Sequence, residues 1–338
     1  MADPARKTLA HEDYGVAIIC PLEVEMSAVR YMLDEEHTQL PPREGDPNQY
    51  ICGRFSGHNV AIGYLLHSSQ GVGEAATVAT NMKRSFPRAN LRLLVGIGGG
   101  VPSERHDVRL GDVVVSMPEG THGGVVQYDM GKETVAGFER KGFLQPPPDE
   151  WRNSVVRMQS DHRIKDNRIA TFLSMMLEKH PRLKEYRRPA AKQDVLFLPT
   201  YEHVAGPTCK HCDHEQTVQR TPLTRDTPEI FYGLIASGNR VVKKAEQRDR
   251  LARDAGGALC FDMKAAGLMN EFRCIVIRGI CNYADSHKND DWHAYGAAVA
   301  AGCAKELLTY LDSDVSKSST GHFSSRNIRV VDCLSLEN

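Results

Sequence analysis

The run Leu93-Leu94-Val95-Gly96-Ile97-Gly98-Gly99-Gly100-Val101-Pro102 restricts the fold most. An apolar stretch of this kind reads as a strand buried on both faces, and such strands lie in sheets covered by helices. Gly96, Gly98, Gly99 and Gly100 then line the turn after the strand, where backbone without side chains can approach a ligand closely. The dinucleotide-binding fingerprint needs a helix directly after its glycines. Here Pro102 and a charged loop lead instead to another strand, LGDVVVS, so a Rossmann reading fits poorly. The plain alternative is a glycine turn that only packs strand against strand.

Around this run, short β-branched segments alternate with amphipathic ones, the pattern of an α/β protein with a largely parallel or mixed sheet. Strands are predicted over 15–20, 50–55, 59–65, 91–97, 112–116, 230–237, 258–261 and 273–280. Helices are predicted to begin near Glu23, near Gly73, before Met175, near Lys244, at Met263 and after Asp290, with Asp290 or Asp291 as the cap of the last one. The 338 residues then divide into a flexible N-terminus (1–12), one three-layer domain with a central mixed sheet flanked by helices (13–312), and a serine-rich flexible tail (313–338). A proline-rich helical and irregular insertion is expected at about 146–228.

With 42 basic against 43 acidic residues, no global field favours nucleic acid or an anionic membrane surface. No apolar run approaches the length of a membrane span, and the first residues lack a signal peptide's apolar stretch. Nine scattered cysteines suit buried thiols in a reducing compartment, so a cytoplasmic protein without structural disulfides is expected.

Other segments place polar residues where chemistry is possible. Gly71 and Gly73 precede a helix whose free amides can face a pocket. GLIASGNRVV is a strand ending in Ser237-Gly238-Asn239, and Asp262, Lys264, Asn282 and Asp285 stand just beyond apolar strands, where α/β proteins place ligands. In the irregular segment, His203, Cys209, Cys212 and His214 have spacing suited to a structural zinc; a hydrogen-bonded loop or two free thiols are the alternative.

The order of VGIGGGVP, LGDVVVS, GGVVQYDMGK, GLIASGN and RGICNYADSHKN, over about Tyr14 to Leu311, resembles the nucleoside phosphorylase and methylthioadenosine nucleosidase superfamily. The likeness is to its fungal branch, whose members are often fused to ankyrin, tetratricopeptide or NTPase modules; no such module is recognisable here. The resemblance implies a purine-type nucleosidase that needs no catalytic cofactor and assembles as a homo-oligomer. Its small-molecule ligand is nucleoside-like.

Carried onto this chain, the glutamate that activates water falls at Glu25, a carboxylate suited to a general base. The phosphate-binding serine and arginine of the phosphorylases fall at Ile97 and Leu94, so hydrolysis is favoured over phosphorolysis. Val241 and Val242 match residues that hold the base, and Gln127 joins the binding set through GGVVQYDMGK. The ribose-clamping glutamate-methionine-glutamate run reads Asp262-Met263-Lys264, and a lysine cannot accept hydroxyl hydrogen bonds. The aspartate that protonates the base is Asn282, which donates a hydrogen bond but releases no proton. Three readings follow: a nucleosidase, the same fold repurposed for another small metabolite, and a non-catalytic nucleoside sensor.

Overall fold

The computed structural model describes residues 6–65, 72–189, 194–223, 225 and 227–311. Gly71 and the serine-rich tail expected at 313–338 lie outside the described residues. The main sheet joins β1 (Val16–Cys20), β2 (Glu35–Glu36), β3 (Tyr50–Phe55), β4 (His58–Tyr64), β5 (Leu91–Gly100), β6 (Val113–Ser116) and β7 (Val125–Gln127). After an exposed hairpin of β8 (Gly131–Thr134) and β9 (Gly137–Arg140), it continues in β10 (Ile230–Gly233), β11 (Ile235–Ser237), β12 (Cys260–Asp262) and β13 (Ile275–Asn282). The α-helices are α1 (Glu23–Tyr31), α2 (Val72–Ser85), α3 (Asp149–Asp161), α4 (Ile169–Lys179), α5 (Ala245–Asp254) and α6 (His293–Leu308).

Strand order is β10-β6-β13-β5-β1-β4-β3-β2, with β12 joining β5 and β11 bridging β12 and β7. The central pairs β13–β5, β5–β1 and β1–β4 are parallel, whereas β13–β6, β3–β4 and β12–β5 are antiparallel. This is a mixed sheet flanked by helices, in agreement with the predicted class. Every residue of β1 and β13 is buried, as strands covered on both faces require. Alanine-rich α6 lies across β13 and β5 and is itself covered by α1, α3 and α4. Small residues allow that closeness: a side chain at Gly279 would run into the backbone of Gly296. Among the described residues no helix is long and apolar enough to cross a membrane.

Several boundaries differ from those predicted. The glycines after Val95 are not a turn, because β5 continues to Gly100 by pairing with β13 and β12. The predicted strand 230–237 breaks at Leu234, its halves pairing with different neighbours. The helix expected at Met263 is a single 3-10 turn, Ala265–Gly267. Neither Asp290 nor Asp291 caps α6; Trp292 holds that position, and the Asp290 carbonyl receives the His293 N–H. Of the N-terminus expected to be flexible over 1–12, residues 1–5 lie outside the described residues, Arg6 pairs with Glu36, and the Thr38 N–H bonds the Lys7 carbonyl.

Candidate active site

The parallel strands β1, β5 and β13 all end at one edge of the sheet, and there the chain leaves a cleft of about 410 Å³. That size suits a small organic ligand. Pro21, Leu22 and Glu23 follow β1 into its wall, Ile97, Gly98 and Gly99 come from β5, and Cys281 and Asn282 come from β13. Phe261, Asp262, Met263 and Lys264 bring the end of β12, and Arg240, Val241 and Val242 follow β11.

Glu25, in the first turn of α1, is buried. One carboxylate oxygen accepts the Leu22 N–H at 2.7 Å, and the other accepts the Ile97 N–H at 2.7 Å. Burial pushes its pKa up to about 7, against the opposing pull of the Arg278 charge and the two N–H bonds, with Asp262 adding to the rise. Gly96 is needed here, since any Cβ would overlap both the Glu25 carboxylate and the Arg278 guanidinium.

Arg278 lies inside β13 and pairs with Asp262 in the interior. The other oxygen of Asp262 takes the Ser237 hydroxyl at 2.6 Å and the N–H groups of Ala265 at 2.8 Å and Lys264 at 3.1 Å. Its acceptor capacity is thus spent within the protein, so Asp262 anchors the β12 turn. Lys264 reaches the same cleft; burial lowers its pKa, opposed by Asp262 and Glu25. Among the described residues its ammonium has no hydrogen-bond partner.

A bulge between Ile280 and Asn282 shifts the β13 register and sets Asn282 opposite Gly99. The Asn282 carbonyl accepts the Ala284 N–H at 3.0 Å, and its amide group lies 3.2 Å from the Cys281 sulfur. Ala284 holds a left-handed backbone, φ 51°, which this side-chain bond supports.

Two nucleoside-cleaving enzymes of known structure are similar to this chain. A 5′-methylthioadenosine/S-adenosylhomocysteine nucleosidase from Neisseria meningitidis, in complex with methylthio-immucillin-A, aligns with TM-score 0.56 at 17% identity, over 88% of this chain and 99% of that one. Futalosine hydrolase of Helicobacter pylori aligns with TM-score 0.56 at 15% identity, over 89% and 100%. The chain shares the fold of these two enzymes. No family model matches the sequence. A nucleotide-binding leucine-rich repeat (NLR)-like protein of Hyaloscypha variabilis is 41% identical over 313 residues, 92% of this chain. The chain spans about a third of that relative's length, 31%.

Of the residues singled out in the sequence, Glu25, Gly98, Gly99, Val241, Val242, Asp262, Met263, Lys264 and Asn282 line this one cleft. Three expected members do not line it. Gly100, the last residue of β5, packs against Ile280 and Val108. Gln127 ends β7, bonds Asp129 at 3.2 Å and lines a separate cavity beside Ala266. Asp285 is buried beyond the cleft wall, where it receives the His287 N–H at 3.0 Å. Sequence reasoning missed Arg278, Arg240, Lys288 and His293. For Arg278 a signal existed: a guanidinium in the apolar strand IVIRGIC has to find a buried carboxylate. Of the four metal candidates, His203, Cys209 and Cys212 group within 4.8 Å of one another, while His214 stands apart beside the Phe197 ring.

Proposed function

We propose that the chain hydrolyses the N-glycosidic bond of a purine-type nucleoside, with Glu25 as general base. The observation that carries this reading is the buried Glu25 carboxylate at the head of the cleft, fixed by two backbone N–H groups and titrating near neutral pH. A carboxyl at that value is ionised often enough at pH 7 to take a proton from water and still basic enough to do so effectively. Its Oε1 and Oε2 are oriented by Ile97 and Leu22, which leaves their second lone pairs for the attacking water.

In the reaction the water oxygen bonds to the sugar's anomeric carbon, its proton passes to Glu25, and the carbon–nitrogen bond breaks with both electrons going to the base. Asn282 donates a hydrogen bond to the departing heterocycle but supplies no proton, so that proton comes from solvent. Apolar Val241, Val242 and Phe261 form walls suited to a purine face. Lys264 replaces hydroxyl acceptance with donation, and together with Arg240 and Lys288 it makes the cleft cationic enough to admit a phosphorylated ribose. Hydrolysis is favoured over phosphorolysis because the two positions matching the phosphate-holding serine and arginine of the phosphorylases are apolar here, Ile97 in the cleft and Leu94 in the core, and the cations Arg240, Lys264 and Lys288 stand elsewhere in the lining.

The test is base release, followed by chromatography, from adenosine, inosine, guanosine, methylthioadenosine and the nucleoside 5′-phosphates. Activity on at least one compound is expected, with E25Q slower by about 10²–10⁴-fold. Silence across the panel would refute catalysis. A second reading, a nucleoside sensor without turnover, is favoured by the NLR-like relative, into which this domain fits as a minor part. It predicts calorimetric binding with no product.

A further inference from the structure

The segment 194–223 and the loop that follows β13 meet beside the cleft, at a cluster that the glycosidic chemistry does not use. His203 Nδ1 lies 3.3 Å from the Cys212 sulfur and 3.8 Å from the Cys209 sulfur. Zinc bonds of about 2.3 Å to sulfur and about 2.0 Å to nitrogen give a tetrahedron with sulfur–nitrogen edges of about 3.6 Å. The two observed separations bracket that edge. A single S–H hydrogen bond would satisfy the Nδ1 lone pair, yet both sulfurs gather around it.

The tautomer of His203 agrees. Its Nε2–H donates to the Gly206 carbonyl at 2.9 Å, which leaves Nδ1 with the lone pair a metal needs. Gly206 reaches that position with φ 121°, a conformation that disfavours side chains. An independent observation comes from the facing loop. His287 is only 8% exposed, and its Nε2 is buried without a hydrogen-bond partner. Its ring meets that of His203 edge-on at 5.5 Å, and its carbonyl lies 3.8 Å from the Cys209 sulfur. The ring's other nitrogen is 4.0 Å from Asp285, the kind of carboxylate that orients a metal-bound histidine.

We propose that His203, Cys209 and Cys212 bind a structural zinc ion, with His287 in place of His214 as the fourth ligand. The His287 nitrogen stands outside the 4.8 Å group, so metal binding draws its loop toward the cysteines. That loop also carries Ala284 and Lys288 into the cleft wall, and the His203 N–H already bonds the Ser286 hydroxyl at 3.0 Å. The ion therefore staples the insertion to one wall of the candidate active site.

The experiment measures metal in the full chain, expressed with zinc and purified under reducing conditions without a metal-affinity step or chelator. About one zinc per chain is expected, and cobalt substitution should give the sulfur-to-cobalt charge-transfer absorption of a thiolate site. C209S and C212S should lose the metal, whereas H214A should keep it. Should the serine variants fail to fold, a mercurial titration of the unmodified chain decides: zinc should leave in step with modification of the cysteine pair. Metal-free protein, undiminished zinc in C209S and C212S, or an intact mass showing a Cys209–Cys212 disulfide would overturn the proposal. None of these readouts depends on nucleoside cleavage.

Discussion

Glu25 illustrates how one residue acquires both a cost and a use. Its carboxyl is driven from an ordinary 4.5 to about 7 chiefly by burial, so the folded state prefers it protonated. Below about pH 4.5 it is neutral in both folded and unfolded chains and costs nothing; as pH rises through 7 the folded state must hold a charge that the unfolded chain hydrates freely. Wild-type stability should therefore fall by about 3 kcal/mol across that window, and urea unfolding of E25Q should lack this component. An identical pH profile in the two proteins would contradict it. Activity should show the matching limb, rising through a midpoint of about 7 as the base ionises. Arg278 is the second decisive residue: R278M would leave Asp262 charged and unpaired in the interior, at a cost of about 3–5 kcal/mol in denaturant unfolding. Glu25, Asn282 and Asp262 were legible in the sequence, but the pairing of Asp262 with Arg278 was not, because it joins two different strands. Asp285 looked well placed at a strand exit and Gln127 entered through the resemblance, yet the pairing of β7 and the turn after Ala284 carry them elsewhere.

At the scale of elements, strands were easier to read than loops because burial on both faces leaves an unbroken apolar run. β1, β3 and β6 match their predicted spans within a residue, and β4 and β13 within two residues at either end. The β8–β9 hairpin escaped because its residues are nearly all exposed, with no alternation to betray it. The extension of β5 through Gly100 escaped for the opposite reason: glycines read as a turn, but here their missing side chains let β12 and β13 close on both sides. α6 depends on the same economy of volume. In G279A the new methyl would collide with the Gly296 backbone, so the helix must move off the sheet; a loss of about 1–3 kcal/mol or more in thermal unfolding is expected. Unchanged stability would mean that α6 does not sit as close to β13 as described.

The molecule as a whole brings separated stretches of chain to one sheet edge, and the cleft exists only through that convergence. The fold class and the mixed sheet were readable from alternating strand and helix patterns, and the location of the cleft from the rule that ligands sit beyond parallel strand ends. What occupies the cleft is a matter of side-chain balance: apolar Val241, Val242 and Phe261 line it together with Glu25, Lys264 and the Arg278–Asp262 pair. The most direct measurement is a crystal structure of the chain soaked with the purine nucleoside that it binds most tightly, using E25Q to prevent turnover. The heterocycle should lie against Phe261 and Val242 within hydrogen-bond reach of Asn282, with its anomeric carbon facing position 25. Density for the ligand outside this cleft, or a sugar turned away from position 25, would contradict the assignment.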